Sequence, residues 1–422
     1  MRAAWRSVLT ICAAAVVGIS PATAAGAGPA VIRIATFNAS LNRDLEGALR
    51  RDLATPDSAQ ARAVAEIIQR VRPDILLLQE FDFDAHGEAL AAFQSNYLAR
   101  SQNGAAPIQF PYSFFTESNT GLASGFDLNN DGTLGGGQDA LGFGEFPGQY
   151  AMVLLSRFPI DVRRSRTFRH FRWRDMPDAL LPDEPATPQP GDWYSPEELA
   201  VLPLSSKSHW DVVIRAGKLT LHVLASHPTP PTFDGQEDRN GRRNHDEVRF
   251  WSDYLTPRRD TYIRDDAGRR GGLGRGEFVI LGDLNSDPAD GDSLHDAILT
   301  LLGHRRLSQV FTPVSEGAIE ANAEQGGANA RQQGDPRFDT ADFNDRMVGN
   351  LRADYALASS GLGVCGGGVF WPRREEPAAA LVWGHPPPSS DHRLVWLDIT
   401  ADAGQCPPGS DPTAIVTLPP RR

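Results

Sequence analysis

The feature that most narrows what this chain can become is a recurrence of short apolar or alternating runs, each stopping on a polar or ionisable residue. Val31 to Phe37 stops on Asn38, and Ile75 to Leu78 delivers Glu80. Leu219 to Ala225 leads to His227, and Phe278 to Leu281 leads to Asp283. Runs of this length and β-branched content read as strands, and those that are continuously apolar need cover on both faces. Ala151 to Leu155, Trp210 to Ile214, Tyr355 to Ala358 and Leu394 to Ile399 extend the set.

Helical patterns lie between them. Thr55 as N-cap and Pro56 at the first helical position open a helix that places Val64, Ile67, Ile68 and Val71 on one face and stops at Pro73. Asn244 to Thr256 is a second helix, with Val248, Trp251 and Leu255 on one face. Strands alternating with helices predict an α/β protein whose sheets are covered by helices. Residues 101–148, rich in Gly and Asn, and residues 172–206, Pro-rich and acidic from Pro177 to Pro196, read as insertions. Residues 315–334, rich in Gly, Ala, Asn and Gln, read as a flexible segment.

The first residues follow a different rule. Arg2 and Arg6 precede an apolar run from Val8 to Ile19, and Ala22-Thr23-Ala24 supplies the small residues of a cleavage site, so residues 1–24 read as a signal peptide. The run is shorter than the roughly 20 residues needed to span a bilayer, which argues against a transmembrane anchor. Residues 25–422 then form one exported domain, secreted or periplasmic, because the polar strand ends are spread along all of it. Cys12 falls in the leader, leaving Cys365 and Cys406 as a candidate disulfide pair; no cysteine spacing suggests a zinc cage. The net charge of −12 argues against a broad polyanion groove, so nucleic acid is a less favoured partner than a small phosphoester.

The strand-end residues match the needs of a metal-dependent phosphoester hydrolase: hard oxygen ligands for Mg²⁺ or Mn²⁺, a group to activate water, and donors for the charge developing on phosphate. Glu80 and Asp391 are candidate carboxylate ligands. Asp283 and Asn285, two apart after a tight turn at Gly282, point the same way and can share a water and a phosphate oxygen. His227 and His392 are candidate donors to phosphate. Each alone has a plainer reading: a solvated charge, a satisfied core histidine, an Asx-rich turn or a capped strand.

Their order decides. Thr36-Phe37-Asn38, Leu78-Gln79-Glu80, Ser156-Arg157-Phe158-Pro159, Ser226-His227, Leu281-Gly282-Asp283-Leu284-Asn285, Arg352-Ala353-Asp354-Tyr355 and Ser390-Asp391-His392 resemble, in this order, the blocks of the endonuclease/exonuclease/phosphatase superfamily. The resemblance implies a four-layer sandwich of two packed mixed β-sheets flanked by helices, with a cleft at one end of the sheets. It implies Glu80 as principal metal ligand with Asn38 and Asp391 near it, and Asp283 orienting or activating water. Asn285 would hold the water or the phosphate, His227 and His392 would stabilise the phosphorane-like state, and Asp354 would orient His392. The implied reaction is in-line attack by water without a covalent enzyme intermediate. Pro228-Thr229-Pro230-Pro231 after His227 departs from the polar loop of many relatives, and Tyr150, Lys207 and Arg239 are candidates for a phosphate contact.

Two further motifs stand apart. Asp127, Asn129, Asp131 and Thr133 flank Gly132 as in a calcium loop of the EF-hand type, but Gln138 holds the twelfth position, so a structural Ca²⁺ site and a metal-free Asx turn both remain open. Arg239, Arg242 and Arg243 are either a solvated loop or a phosphate clamp. The functional reading is an exported phosphoesterase acting on a small or lipid-linked substrate. Its alternatives are a non-specific extracellular nuclease and a non-catalytic module of the same fold that binds calcium or a partner.

Overall fold

The computed structural model describes residues 31–403 and Cys406; the leader read over residues 1–24 lies outside them. The strands are, in chain order, β1 (Ile32–Leu41), β2 (Ile75–Phe81), β3 (Tyr112–Phe114), β4 (Met152–Ser156), β5 (Arg166–Thr167), β6 (His209–Ala216), β7 (Leu219–Ser226), β8 (Glu277–Asp283), β9 (Ala341–Asp342), β10 (Asn350–Leu351), β11 (Asp354–Ala358), β12 (Gly363–Val369) and β13 (Val395–Thr400). They build a six-stranded sheet, β12-β13-β1-β2-β4-β3, a five-stranded sheet, β11-β8-β7-β6-β5, and a short pair, β10-β9. Both large sheets are mixed: β1 runs parallel to β2 and β7 to β8, while the other neighbours are antiparallel.

Side-chain alternation explains the layering. Val279 and Leu281 of β8, and Leu221 and Val223 of β7, join Ile34, Leu76 and Leu78 of the other sheet in one core. Phe278, Ile280 and Leu224, on the opposite face, pack with Val248 and Trp251 of the helix Arg239–Leu255. Both faces of these strands are dry, which is why they read as continuous apolar runs. Leu281→Ala would open a cavity between the sheets and cost about 2–5 kcal/mol. On the far side of the six-stranded sheet, the helix Ala59–Val71 buries Val64, Ile67, Ile68 and Val71. The expected α/β sandwich of two packed sheets flanked by helices is therefore the architecture.

Several local expectations shift. The first long helix is capped by Ser58, whose Oγ accepts the Ala61 N–H at 3.3 Å, not by Thr55. The second starts at Arg239 instead of Asn244, helped by Asp234, whose carboxylate accepts the Asn240 N–H at 2.6 Å. Residues 315–334 are not featureless: Glu316–Gln325 is a helix capped by Ser315, and its small residues allow close approach, since a Cβ at Gly317 would lie 2.2 Å from the Trp371 carbonyl. Strand β12 was hidden by its glycines, which are needed because a Cβ at Gly368 would meet the Trp396 indole at 2.7 Å. Cys365 on β12 is bonded to Cys406, with their Cα atoms 5.3 Å apart.

The topology gathers one set of strand ends. β1 and β2 carry Asn38 and Glu80 to the same end. β8 carries Asp283 and pairs antiparallel with β11 so that Asp283 lies opposite Asp354. β13, antiparallel to β1, pairs Val395 with Thr36 and so brings the preceding Asp391-His392 segment to that end.

Candidate active site

Asn38 Nδ2 joins the two sheets, donating to Glu80 Oε1 and to Asp283 Oδ2, each at 3.0 Å. Asp283 Oδ2 also lies 3.4 Å from His227 Nε2 and 3.6 Å from His392 Nε2. Behind His392, its Nδ1 is 2.8 Å from Asp354 Oδ2, which also accepts the Thr340 hydroxyl at 2.9 Å. The structure thus brings Asn38, Glu80, His227, Asp283, Asp354 and His392 into one constellation, buried except for the half-exposed Glu80.

Local backbone holds it in place. Gly282 is not in a tight turn but within β8, where a Cβ would lie 2.1 Å from the Ser226 carbonyl of β7; only glycine permits that approach. Asn285 closes an Asx turn by donating its N–H to Asp283 Oδ1 at 2.9 Å, and its Nδ2 reaches the Pro228 carbonyl at 3.1 Å. Asn244 Nδ2 ties the two loops together through the carbonyls of Thr229, Leu284 and Asn285, at 2.8, 3.0 and 3.2 Å. Ser390 donates to the Asn38 carbonyl at 2.7 Å and accepts the His392 N–H at 3.0 Å, while Ser40 donates to Asp391 Oδ1 at 3.1 Å. Ser40, Glu80, Tyr150 and Asn285 have φ of 47°, 56°, 57° and 50°, a left-handed conformation rare outside glycine. Such strain collects where a site over-determines its backbone.

The electrostatics separate the two histidines. Burial opposes the His392 imidazolium, but Asp354, Asp283 and Asp391 outweigh it and hold its pKa well above the usual histidine range. Burial pushes His227 well below that range, helped by Lys207 and by His392. Burial raises Glu80, Asp283 and Asp354, with His392 acting against the rise in each. Neighbouring imidazoles with opposed protonation suit one proton-bearing and one neutral role.

The tightest set of potential ligand atoms is Asp283, Asp354 and His392, all within 4.8 Å of one another. Against the effect of burial, Asp354 and Asp283 favour the protonated form of His392, and an imidazolium cannot ligate a metal. Glu80 and Asp391 pose the unmet demand. Among the described residues neither carboxylate has an ion pair with Lys, Arg or His, although Glu80 is half-buried beside Asp283 and Asp391. Half-buried carboxylates that face one another without a paired cation carry a cost, and an oxygen donor set of this kind fits a hard divalent ion.

A cavity of about 610 Å³ opens onto Glu80, Asp283, Asn285, Asp391 and His392. Lys207 sits nearby, 7% exposed, with Nζ 3.4 Å from the same Pro228 carbonyl that accepts Asn285; burial lowers its pKa, while Glu247, Glu80 and Asp283 oppose that fall. Of the three arginines read as a solvated loop or a phosphate clamp, Arg239 is paired with Glu237 and does not line the cavity; nor does Arg242, which donates to the Leu181 carbonyl. Arg243 is buried and spends its guanidinium on the Leu204, Leu141 and Pro203 carbonyls. Asp127, Asn129, Asp131 and Thr133 lie outside the cavity, where Asp127 accepts the N–H groups of Asp131 and Gly132. Sequence reading missed Thr340, and it missed Gln60, whose Nε2 pins the Ser40 and Ser389 carbonyls at 2.7 and 3.0 Å. No local signal marks either residue.

The family model described as "Endonuclease/Exonuclease/phosphatase family" matches residues 35–392. Comparison with curated proteins gives no match. Among solved structures the chain is similar to an endonuclease/exonuclease/phosphatase from Beutenbergia cavernae DSM 12333, with 17% identity over 89% of this chain and 72% of that one, at a TM-score of 0.45. It is similar to the mannosyl-6-phosphatase Bt3783 of Bacteroides thetaiotaomicron VPI-5482, with 12% identity over 87% and 99% of the two chains and a TM-score of 0.41. Sphingomyelinase C from Streptomyces griseocarneus gives 15% identity over 87% and 99%, with a TM-score of 0.38.

Proposed function

Because the chain belongs to the endonuclease/exonuclease/phosphatase family of metal-dependent phosphoester hydrolases, we propose that it hydrolyses a small or lipid-linked phosphoester outside the cytoplasm, by direct in-line attack of water. The observation that carries this reading is Asp283 Oδ2, held by Asn38 and facing both His227 and His392. A divalent ion, Mg²⁺ or Mn²⁺, would be held by Glu80 with Asn38 and Asp391, and when bound it supplies Lewis-acid charge for the phosphoryl oxygens.

The side chains divide the remaining work. Asp283 accepts the proton of the attacking water or orients it, while Asn285 holds the water or the phosphate through Nδ2. His392, kept protonated by Asp354, donates to a non-bridging oxygen as charge grows there. His227 remains neutral and donates a ring N–H to the same group, and Lys207 adds a buried cation beside them. The Cys365–Cys406 bond supports an oxidising compartment, as the leader reading requires. A structural Ca²⁺ at Asp127, Asn129, Asp131 and Thr133 is a subsidiary part of the reading.

The test is a substrate panel. Purified protein with Mg²⁺ or Mn²⁺ would be incubated with plasmid DNA, RNA, a phosphocholine sphingolipid, inositol phosphates and simple phosphodiesters, with Asp283→Ala as control. Turnover of a small or lipid-linked ester, lost in Asp283→Ala, is expected. Nuclease activity as the dominant activity, also lost in that variant, would overturn the substrate assignment.

A further inference from the structure

The cavity that holds the catalytic residues continues into an apolar wall. Pro230, Phe233, Phe343, Met347, Leu351 and Pro386 line it together with the carboxylates. Each wall segment is close in sequence to a residue of the constellation: Pro230 and Phe233 follow His227, Leu351 precedes Asp354, and Pro386 precedes His392. The junction is direct, since the Phe343 ring stands edge-on to the His392 imidazole with centroids 5.1 Å apart.

The wall is built at a cost. Phe233 is 72% exposed, the highest value of any large hydrophobic among the described residues, and Met347 is 61% exposed. Phe233 also has φ of 68°, a conformation unfavourable for an aromatic residue. An apolar patch held towards water by a strained backbone, at the mouth of a reactive site, marks a surface that something apolar covers. The anionic floor excludes a second polyanionic segment from the same space.

We propose that this wall binds the apolar substituent of the phosphoester, so that the substrate class is an ester of phosphate with an alkyl or acyl-bearing alcohol. This rests on the phosphoesterase reading above and narrows it. Contact with a part of the substrate remote from phosphorus supplies binding energy that holds the ester against Asp283 and His392.

The experiment uses two series, alkyl 4-nitrophenyl phosphates and alkyl monophosphates, with the chain lengthened from methyl to octyl and every ester kept below its aggregation concentration. kcat/KM is expected to rise roughly two- to fourfold per methylene until the wall is filled. The double variant Phe233→Ser/Met347→Ser should flatten that slope, whereas Leu299→Ser, at an exposed position outside the cavity, should leave it unchanged. Hydrolysis without a chain-length slope would overturn this inference alone, as would a slope that survives the double variant. A gain only with aggregated or vesicle-borne substrate would also overturn it, by assigning the wall to bilayer docking. Failure to hydrolyse any member of either series would remove the phosphoesterase reading as well.

Discussion

The floor and the wall of the cleft are made in opposite ways. The floor residues sit at the ends of paired strands and hold one another at hydrogen-bond distance: Asn38 to Asp283, Asp354 to His392, Ser390 to Asn38. The wall residues sit on three loops and the short strand β10, and Phe233 and Met347 turn apolar side chains to water. A ladder fixes position to within a bond length, whereas a loop can be rebuilt without disturbing the sheet that carries it. On the proposed reading, chemistry is invested in the first and substrate choice in the second.

The largest effect expected from breaking the floor comes from Asp283→Asn. kcat should fall towards the upper end of the roughly 10²–10⁴ range for a positioned proton-transfer group. The same change should raise the Tm of the metal-free protein. Burial lifts the pKa of Asp283, so the ionised carboxylate costs folding free energy that the amide does not. A variant that loses turnover and also loses stability would make the floor structural and would blur the contrast with the wall. Glu80→Gln follows in size, with the half-saturating metal concentration expected to rise by about 10²-fold or more while the fold persists. Titrating activity with Mg²⁺ or Mn²⁺ checks it.

Asp354→Asn should cost less, about 10- to 100-fold in kcat/KM, because Asp354 acts through His392. It also moves the pH profile. Asp354 helps hold the His392 pKa above the usual range, and the proposed donor is the imidazolium, which is lost as pH rises through that pKa. Without the carboxylate the pKa drops, so the alkaline limb of the pH–rate profile should shift to lower pH. An unmoved limb with a uniformly reduced rate would assign Asp354 to packing alone.

The same division explains what could be read before the fold was known. Strand-end residues such as Glu80, Asp283 and His392 were legible because a paired strand converts sequence position into spatial position, and the two sheets bring these strand ends together. Thr340 was not legible. It reaches Asp354 only because the chain around β9 folds back, with the Thr340 N–H on the Leu351 carbonyl at 2.9 Å and the Arg393 N–H on the Thr340 carbonyl at 2.7 Å. Arg239 and Arg242 were misplaced for a related reason: their helix begins five residues earlier than its apolar face suggests, and they engage Glu237 and the Leu181 carbonyl outside the cleft. The apolar wall left no pattern at all, since Phe233 comes from one loop and Phe343 and Met347 from another, with no periodicity to join them.

The smallest expected effect concerns a carboxylate that serves neither region. Asp339 adjoins Thr340, is 6% exposed, and has no hydrogen-bond partner for Oδ2. Burial pushes its pKa up to about 8, with Asp287, Asp290 and Asp335 adding to the rise. Between the ordinary aspartate value of 3.8 and about 8, the folded state keeps a proton that the unfolded chain has released. Stability must therefore fall as pH rises through that window, and the penalty is fully present above it. Asp339→Asn removes this dependence. Its Tm should match the wild type near pH 4 and exceed it by a few degrees at pH 8. Because Asp339 lacks the histidine partner that justifies the buried carboxylates of the floor, kcat should stay within a factor of about two, the scale of a change that touches no reacting group. Thermal melts of the two proteins across that range decide the matter. Equal Tm differences at both ends would mean that the Asp339 proton is not released within the window, and a loss of turnover would extend the functional floor one residue beyond Thr340.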